Sequence, residues 1–197
     1  AAEDVRREVE RAGRSGGSGS GRRESAPAAP EAGGAEEPAM TRVTLASLPR
    51  TPDVALERGA LMGVLQFGHR MDPALVARAL DTTFRHPALD AVRSALRGVT
   101  DMQRPGWAMD AVNSVREPYR ALAAELLAAD FPALTDDAAV ASASDLARRV
   151  VMRALEHEKA ELLGAIQRVN PNYEEGRAIR LRLRELDAER QRLAEEA

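Results

Sequence analysis

The chain has 197 residues, of which 28 are Lys or Arg and 31 are Asp or Glu, so its formal net charge is −3. This balance lacks the excess of positive charge that marks a strong nucleic-acid-binding protein. The absence of cysteine excludes disulfides and thiolate metal sites and fits a reducing cytoplasm. Only 3% of the residues are aromatic, and an apolar content drawn mainly from Ala, Leu and Val, beside many Arg and Glu, predicts an all-α fold.

The first 50 residues lack the periodicity of a folded domain. The chain opens on Ala1 rather than Met, so we expect a fragment of a longer polypeptide, in which residues 1–12 contain a short charged helix. Residues 13–50 are rich in Gly, Ser, Pro and Ala, and they are predicted to form a flexible linker because they cannot bury enough apolar surface to fold. The N-terminus does not resemble a signal peptide, and no apolar run approaches the ~20 residues of a membrane helix. We therefore expect a cytoplasmic protein.

Residues 51–143 show the apolar periodicity of a bundle of short helices. Prolines that follow capping or turn residues, and glycines that follow apolar stripes, predict the ends of these helices. The predicted starts are Pro52, Pro73, Pro87, Trp107 and Pro118, with a further start at Thr135-Asp136-Asp137. The predicted core stripes are Val54, Leu61, Met62 and Leu65; Leu75, Val76 and Leu80; Leu89, Val92 and Leu96; and Tyr119, Leu122, Leu126 and Leu127.

Residues 144–197 are predicted to form a long helix and a C-terminal helical hairpin. Ser144 is interpreted as the cap of a helix over residues 145–169, Asn170-Pro171-Asn172 as the break, and Tyr173 as the start of a second helix. Apolar residues at heptad spacing predict an antiparallel seam between the two arms. They are Leu155, Leu162, Ile166 and Val169 in the first arm and Ile179, Leu183, Leu186 and Leu193 in the second.

A polar stretch interrupts the first arm at residues 156–161, with the sequence Glu-His-Glu-Lys-Ala-Glu. We interpret it as a solvent-exposed neck in one continuous helix, beyond which the hairpin stands away from the bundle. Two helices with so narrow a seam are marginally stable by themselves. A protruding hairpin of this kind is suited to docking on the helices of a partner.

Leu181 lies about 200° around its helix from Leu183, on the side away from the seam. An exposed leucine ringed by arginines resembles an interface hot spot, although a single exposed leucine is also common. The arginines could instead contact nucleic acid, but the acidic residues that follow favour a solvated ion-pair face. The ring comprises Arg177, Arg180, Arg182 and Arg184. The predicted partner-binding residues are Leu163, Asn170, Tyr173, Arg177, Arg180, Leu181 and Arg184.

No catalytic, cofactor-binding or metal-binding residue is predicted. The three histidines, His69, His86 and His157, are far apart in sequence and lack metal-ligand spacing. His86 before Pro87 is interpreted as part of a helix start. Asp136 and Asp137 are interpreted as helix-start residues that complement the helix dipole, rather than as a magnesium pair.

Three segments, in this order, resemble the C-terminal helicase-binding domain of bacterial DNA primases, and the resemblance covers residues 51–197. Residues 56–66 resemble its first helix, and Phe84-Arg85-His86-Pro87 resembles its Phe-x-His-Pro motif. Residues 162–186, which include Val169-Asn170-Pro171, resemble its terminal hairpin in actinobacterial members. Residues 1–12 are similar to the tail of the polymerase core that precedes this domain.

The resemblance implies a helical bundle and hairpin that dock a primase on the N-terminal domain of the replicative DNA helicase during primer synthesis. It implies a monomer without a nucleic-acid or membrane site of its own, and it places zinc, magnesium and primer synthesis in other domains of the polypeptide. Two alternatives stay open: a collar-type oligomerisation domain of a replicative helicase, or an unrelated helical adaptor. Oligomeric state distinguishes them, since a collar forms rings.

Overall fold

The computed structural model describes residues 42–169 and 173–195, and within these ranges the secondary structure is entirely helical, which confirms the predicted all-α fold. Two short 3-10 helices, Leu45–Ser47 and Gly68–Arg70, accompany the α-helices. The α-helices are α1 (Pro52–Phe67), α2 (Pro73–Asp81), α3 (Pro87–Leu96), α4 (Trp107–Ser114), α5 (Arg120–Ala128), α6 (Asp136–Ile166) and α7 (Glu174–Glu195). None of these described helices combines the length and apolarity needed to cross a membrane.

The helix starts follow the capping chemistry that the sequence predicts. The side-chain oxygens of Thr51, Asp72 and Thr135 each accept a hydrogen bond from a backbone N–H in the first turn of α1, α2 and α6, respectively. His86 is the N-cap residue of α3, as predicted, but its side chain makes no capping hydrogen bond. Helix α5 begins at Arg120 rather than at the predicted Pro118.

The predicted stripes of the first three helices form the core of the bundle, together with Leu122 and Leu126 of α5. Tyr119 and Leu127, which were also predicted to face inward, are only half-buried against this core. The largest fully buried side chains of the bundle are Leu61, Leu65, Leu89, Leu96, Leu122 and Leu126. Leucine therefore supplies the largest of the fully buried apolar side chains that stabilise the bundle.

Helix α6 passes straight through Ser144, so the prediction that Ser144 caps a separate helix is wrong. The reason is its packing against α1, the most extensive helix pair in the fold. A Cβ added to Gly63 of α1 would lie 2.6 Å from the Cβ of Ala143. Ala139, Ala143 and Ala147 are all buried, and this continuous small-residue contact keeps the helix intact across its serines.

Residues 42–50 pack on the bundle, so the predicted linker is wrong at its C-terminal end. The N–H of Val43 donates to the carbonyl of Pro118 over 3.1 Å, and the N–H of Leu45 donates to Oε2 of Glu125 over 2.6 Å. Leu48 is buried in the core, and its burial offsets the entropy of ordering this segment. Residues 1–41 lie outside the described residues, as do the predicted Asn170-Pro171-Asn172 turn and the last two residues.

Helices α6 and α7 pair along the predicted seam. Ile179, Leu186 and Leu193 of α7 are buried at intervals of seven residues, while Leu183 is half-buried. Leu155 of α6 is buried, and the other predicted seam residues of that arm, Leu162, Ile166 and Val169, are half-buried. The heptad register is therefore confirmed, with its tightest packing toward the C-terminal end of α7.

Candidate functional site

Helix α7 crosses the polar stretch of α6 and covers one of its faces. Three ion pairs join the two helices there, with nitrogen-to-oxygen distances of 2.7, 2.5 and 3.3 Å. The pairs are Arg182–Glu158, Lys159–Asp187 and Arg190–Glu156, and we call them the ion-pair band. The predicted solvent-exposed neck is therefore covered on one face, where α7 supplies an opposite charge for Glu156, Glu158 and Lys159, while His157 and Glu161 stay exposed and face each other on α6.

The ion-pair band surrounds a buried apolar contact. Leu186, within the span of α7 that carries the band, is completely buried. The hydrogen bond from Arg182 to Glu158 raises the pKa of the arginine above its ordinary value. Partly exposed pairs of this kind each contribute little to stability, roughly 0–1 kcal/mol, so Leu186 rather than the band is expected to hold the two arms together.

The C-terminal end of α7 is also joined to the bundle. Arg78 of α2 forms an ion pair with Glu189 over 2.5 Å, and Leu193 is buried as part of the main core. The prediction that the whole hairpin stands away from the bundle is therefore wrong for this end of α7. The candidate docking surface begins beyond the band, in the described residues 162–169 and 173–181, which we call the hairpin tip.

The hairpin tip exposes three large apolar side chains. Leu163, Tyr173 and Leu181 have 45%, 68% and 58% of their surfaces exposed, respectively. Leu181 comes two residues after the buried Ile179, so it lies on the far side of α7 from the seam, as predicted. Exposed apolar surface gains free energy when a partner covers it, and this makes the tip the apolar part of the candidate site.

The four predicted arginines around Leu181 differ in their surroundings. Arg177 is exposed near the tip, and Arg180 is half-buried and takes part in an interaction of its own. Arg182 belongs to the ion-pair band, and Arg184 lines a groove between α2 and α7 instead. Asn170 lies outside the described residues.

That groove has a volume of about 480 Å³, and sequence reasoning missed it. It is lined by Arg78, Arg184, Glu185, Ala188, Glu189 and Arg192. The spacing of Arg184, Ala188 and Arg192, four residues apart on one helix, was a signal that could have indicated part of it. The contribution of Arg78 could not be inferred, because it comes from a helix more than 100 residues earlier in the chain.

A second cluster of charged side chains lies in the bundle, where the charges pair with one another and hold a turn in place. The carboxylate of Glu57 is fully buried, pairs with Arg153, and accepts hydrogen bonds from the backbone N–H groups of Arg85 and His86 over 2.9 and 3.1 Å. Asp53 forms ion pairs with the side chains of Arg85 and Arg153. The hydrogen bond from Arg85, together with the charge of Arg153, lowers the pKa of this aspartate. Every charge in the cluster has a partner, so it holds the turn before α3 against α1 and α6.

Asp90 fixes the same turn from its other side. Its Oδ1 accepts the N–H of Phe84 over 2.9 Å and Nε of Arg93 over 2.7 Å. Partial burial raises the pKa of Asp90, but these two hydrogen bonds outweigh the burial and leave the pKa below its ordinary value. The residues of the Phe84-to-Pro87 segment are thus held by carboxylates of α1 and α3 and act in folding.

The described residues contain no group of three or more His, Asp or Glu side chains that could hold a metal ion. Asp136 and Asp137, considered above as a magnesium pair, lie 3.8 and 2.6 Å from the guanidinium of Arg70 and pair with it. Comparison with protein-family models, with curated proteins and with solved structures gave no match to this chain.

Proposed function

We propose that this chain is a protein-docking module, and specifically the helicase-binding domain of a bacterial DNA primase. In this proposal the hairpin tip binds the N-terminal domain of the replicative DNA helicase in the cytoplasm. The observation that carries the proposal is the exposure of Leu163, Tyr173 and Leu181 at the tip.

The distribution of exposed apolar side chains supports docking through the hairpin. In the described residues, five large apolar side chains are exposed, and three of them lie at the tip. Aromatic and arginine side chains dominate the binding energy of protein interfaces, and the tip offers Tyr173 and Arg177 beside its leucines. The other two exposed side chains are Met109 and Leu134 of the bundle.

The stiffness of the hairpin also supports this function. Leu186 and the ion-pair band fix α7 on α6 just below the tip. A surface that is ordered before binding loses less conformational entropy when the partner arrives. Primer synthesis, with the zinc and magnesium that it requires, belongs in this proposal to other domains of the primase.

Titration calorimetry with the N-terminal domain of the replicative helicase tests the proposal. We expect Leu181→Ala to weaken binding about thirtyfold, the equivalent of about 2 kcal/mol for a hot-spot side chain. Leu134→Ala is the matched control, because Leu134 is fully exposed on the bundle and its truncation leaves the tip intact. Equal affinity of the two variants would place the interface elsewhere.

Sedimentation of the chain without a partner tests the alternative of a helicase collar. A docking module is expected to sediment as a monomer, since three of the five exposed large apolar side chains in the described residues are confined to one small tip. Closed rings in the absence of a partner would contradict the proposal and favour an oligomerisation domain.

A further inference from the structure

The outer face of α7 carries a continuous stripe that starts at the hairpin tip and ends at the bundle. Leu181, Arg184, Ala188 and Arg192 follow one another at intervals of three, four and four residues, so they lie on one side of the helix. The stripe extends over 12 residues, 181–192, or about 16 Å of helix. It lies opposite the seam of Ile179, Leu186 and Leu193, and all four of its residues are exposed.

The two arginines of the stripe are cations, and the two acidic residues beside them in the groove pair with other arginines. In the groove between α2 and α7, Glu189 is paired with Arg78 over 2.5 Å, and Glu185 is paired with Arg182 over 3.3 Å. Within the described ranges 42–169 and 173–195, neither Arg184 nor Arg192 has an ion pair. The stripe therefore presents an apolar end at Leu181 and two free cations beyond it.

The small side chain of Ala188 lies between the two cations. It leaves room for the backbone of another helix to approach α7 closely, as small residues do at helix contacts. Arg184 and Arg192 are eight residues apart, which is about 12 Å. Carboxylates two turns apart on a facing helix have nearly the same separation, so such a helix can pair with both arginines at once.

We propose that this stripe binds an amphipathic helix of a protein partner, with an apolar side chain over Leu181 and carboxylates against Arg184 and Arg192. The inference rests on the proposed function and adds the chemistry of the partner to it. A nucleic-acid backbone fits this surface less well, because the two arginines lie about 12 Å apart and do not form the continuous basic row that successive phosphates need.

A double charge reversal, Arg184→Glu with Arg192→Glu, tests the inference in calorimetry with the helicase N-terminal domain. Because both side chains are exposed, we expect the variant to unfold at the same temperature as the parent and to bind at least about tenfold more weakly. Binding by the parent chain is also expected to weaken as salt is added. Arg58→Glu, at an exposed position of α1, is the control and is expected to bind normally.

A synthetic helical peptide makes the test independent of the helicase. It carries one leucine followed by glutamates two turns apart, and a second peptide carries lysines in place of the glutamates. The parent chain is expected to bind only the glutamate peptide, and the reversed variant only the lysine peptide. If the chain distinguishes the two peptides as expected but does not bind the helicase, the proposed function is contradicted and the inference about the stripe is not.

Two results would overturn the inference while leaving the proposed function intact. One is helicase binding that is unchanged by the double reversal, together with no selectivity between the peptides. The other is binding of a single-stranded oligonucleotide that the double reversal abolishes while helicase binding persists, which would identify the stripe as a phosphate-binding surface.

Discussion

In the bundle, the carboxylate of Glu57 is fully buried and pairs with the half-buried Arg153, whereas in the hairpin the charges of the ion-pair band lie at the surface between two helices. A buried charge that loses its partner cannot regain water, so a mutation that removes the partner lowers the free energy of unfolding strongly. A surface charge that loses its partner is solvated at once. The two regions use the same residue types, but we expect only the bundle to depend on them for its stability.

Glu57→Ala is expected to have the largest effect, about 3–5 kcal/mol of lost unfolding free energy, because it leaves Arg153 and two backbone N–H groups without their buried acceptor. Glu158→Ala in the ion-pair band is the control and is expected to cost at most about 1 kcal/mol. Urea denaturation of both variants measures the difference. Similar losses for the two would remove the contrast between bundle and hairpin.

Leu186→Ala is expected to cost about 2–5 kcal/mol, since it opens a cavity at a completely buried position of the α6–α7 seam. Leu181→Ala, on the outer face of the same helix, is expected to change stability by less than about 0.5 kcal/mol. Thermal unfolding of the two variants compares a buried with an exposed leucine of the same helix, and Glu158→Ala supplies the comparison with the ion-pair band. If Leu186→Ala is as stable as the parent, the band rather than the seam holds the hairpin.

Gly63→Ala is expected to destabilise the chain by about 1–3 kcal/mol, because the new methyl group would lie 2.6 Å from the Cβ of Ala143 and push α1 away from α6. Gly164→Ala is its counterpart in the hairpin. A Cβ at that position meets nothing within 4 Å, so this change is expected to stabilise the chain by about 0.5–1 kcal/mol through helix propensity. A stabilised Gly63→Ala variant would show that the helix contact is loose.

The smallest effect is expected from pH. Asp53 and Asp90 have pKa values below the ordinary 3.8 in the folded chain, so their stabilising contribution is complete above that value and is lost as the pH falls through the lower folded pKa. Unfolding free energy measured between about pH 5 and about pH 1 should therefore fall less steeply for Asp90→Asn than for the parent. Identical slopes would mean that Asp90 titrates alike in the folded and unfolded chains.

One part of the candidate site follows from local sequence periodicity, and another part depends on the packing of helices that are distant in sequence. Leu181 is exposed as expected, because helical periodicity alone determines which side of α7 faces away from its seam, and Leu163 and Tyr173 are exposed beside it at the tip. Of the predicted arginines, Arg182 also pairs with Glu158 across the hairpin, which the sequence did not indicate. Arg184 turned out to belong with Arg192 and with Arg78 of α2, and this grouping depends on how helices far apart in sequence pack together.

The sequence by itself determined the helical fold class, the capped starts of α1, α2 and α6, and the heptad seam of α7. Each of these depends on residues within one or two turns of one another, so local propensity, capping and periodicity are sufficient to specify it. Only the tertiary structure decided that α6 continues through Ser144, that α7 covers the polar stretch, and that its end joins the bundle through Glu189. These features arise where a small-residue contact or an opposite charge is supplied by a distant helix, and no local pattern encodes which distant helix that is.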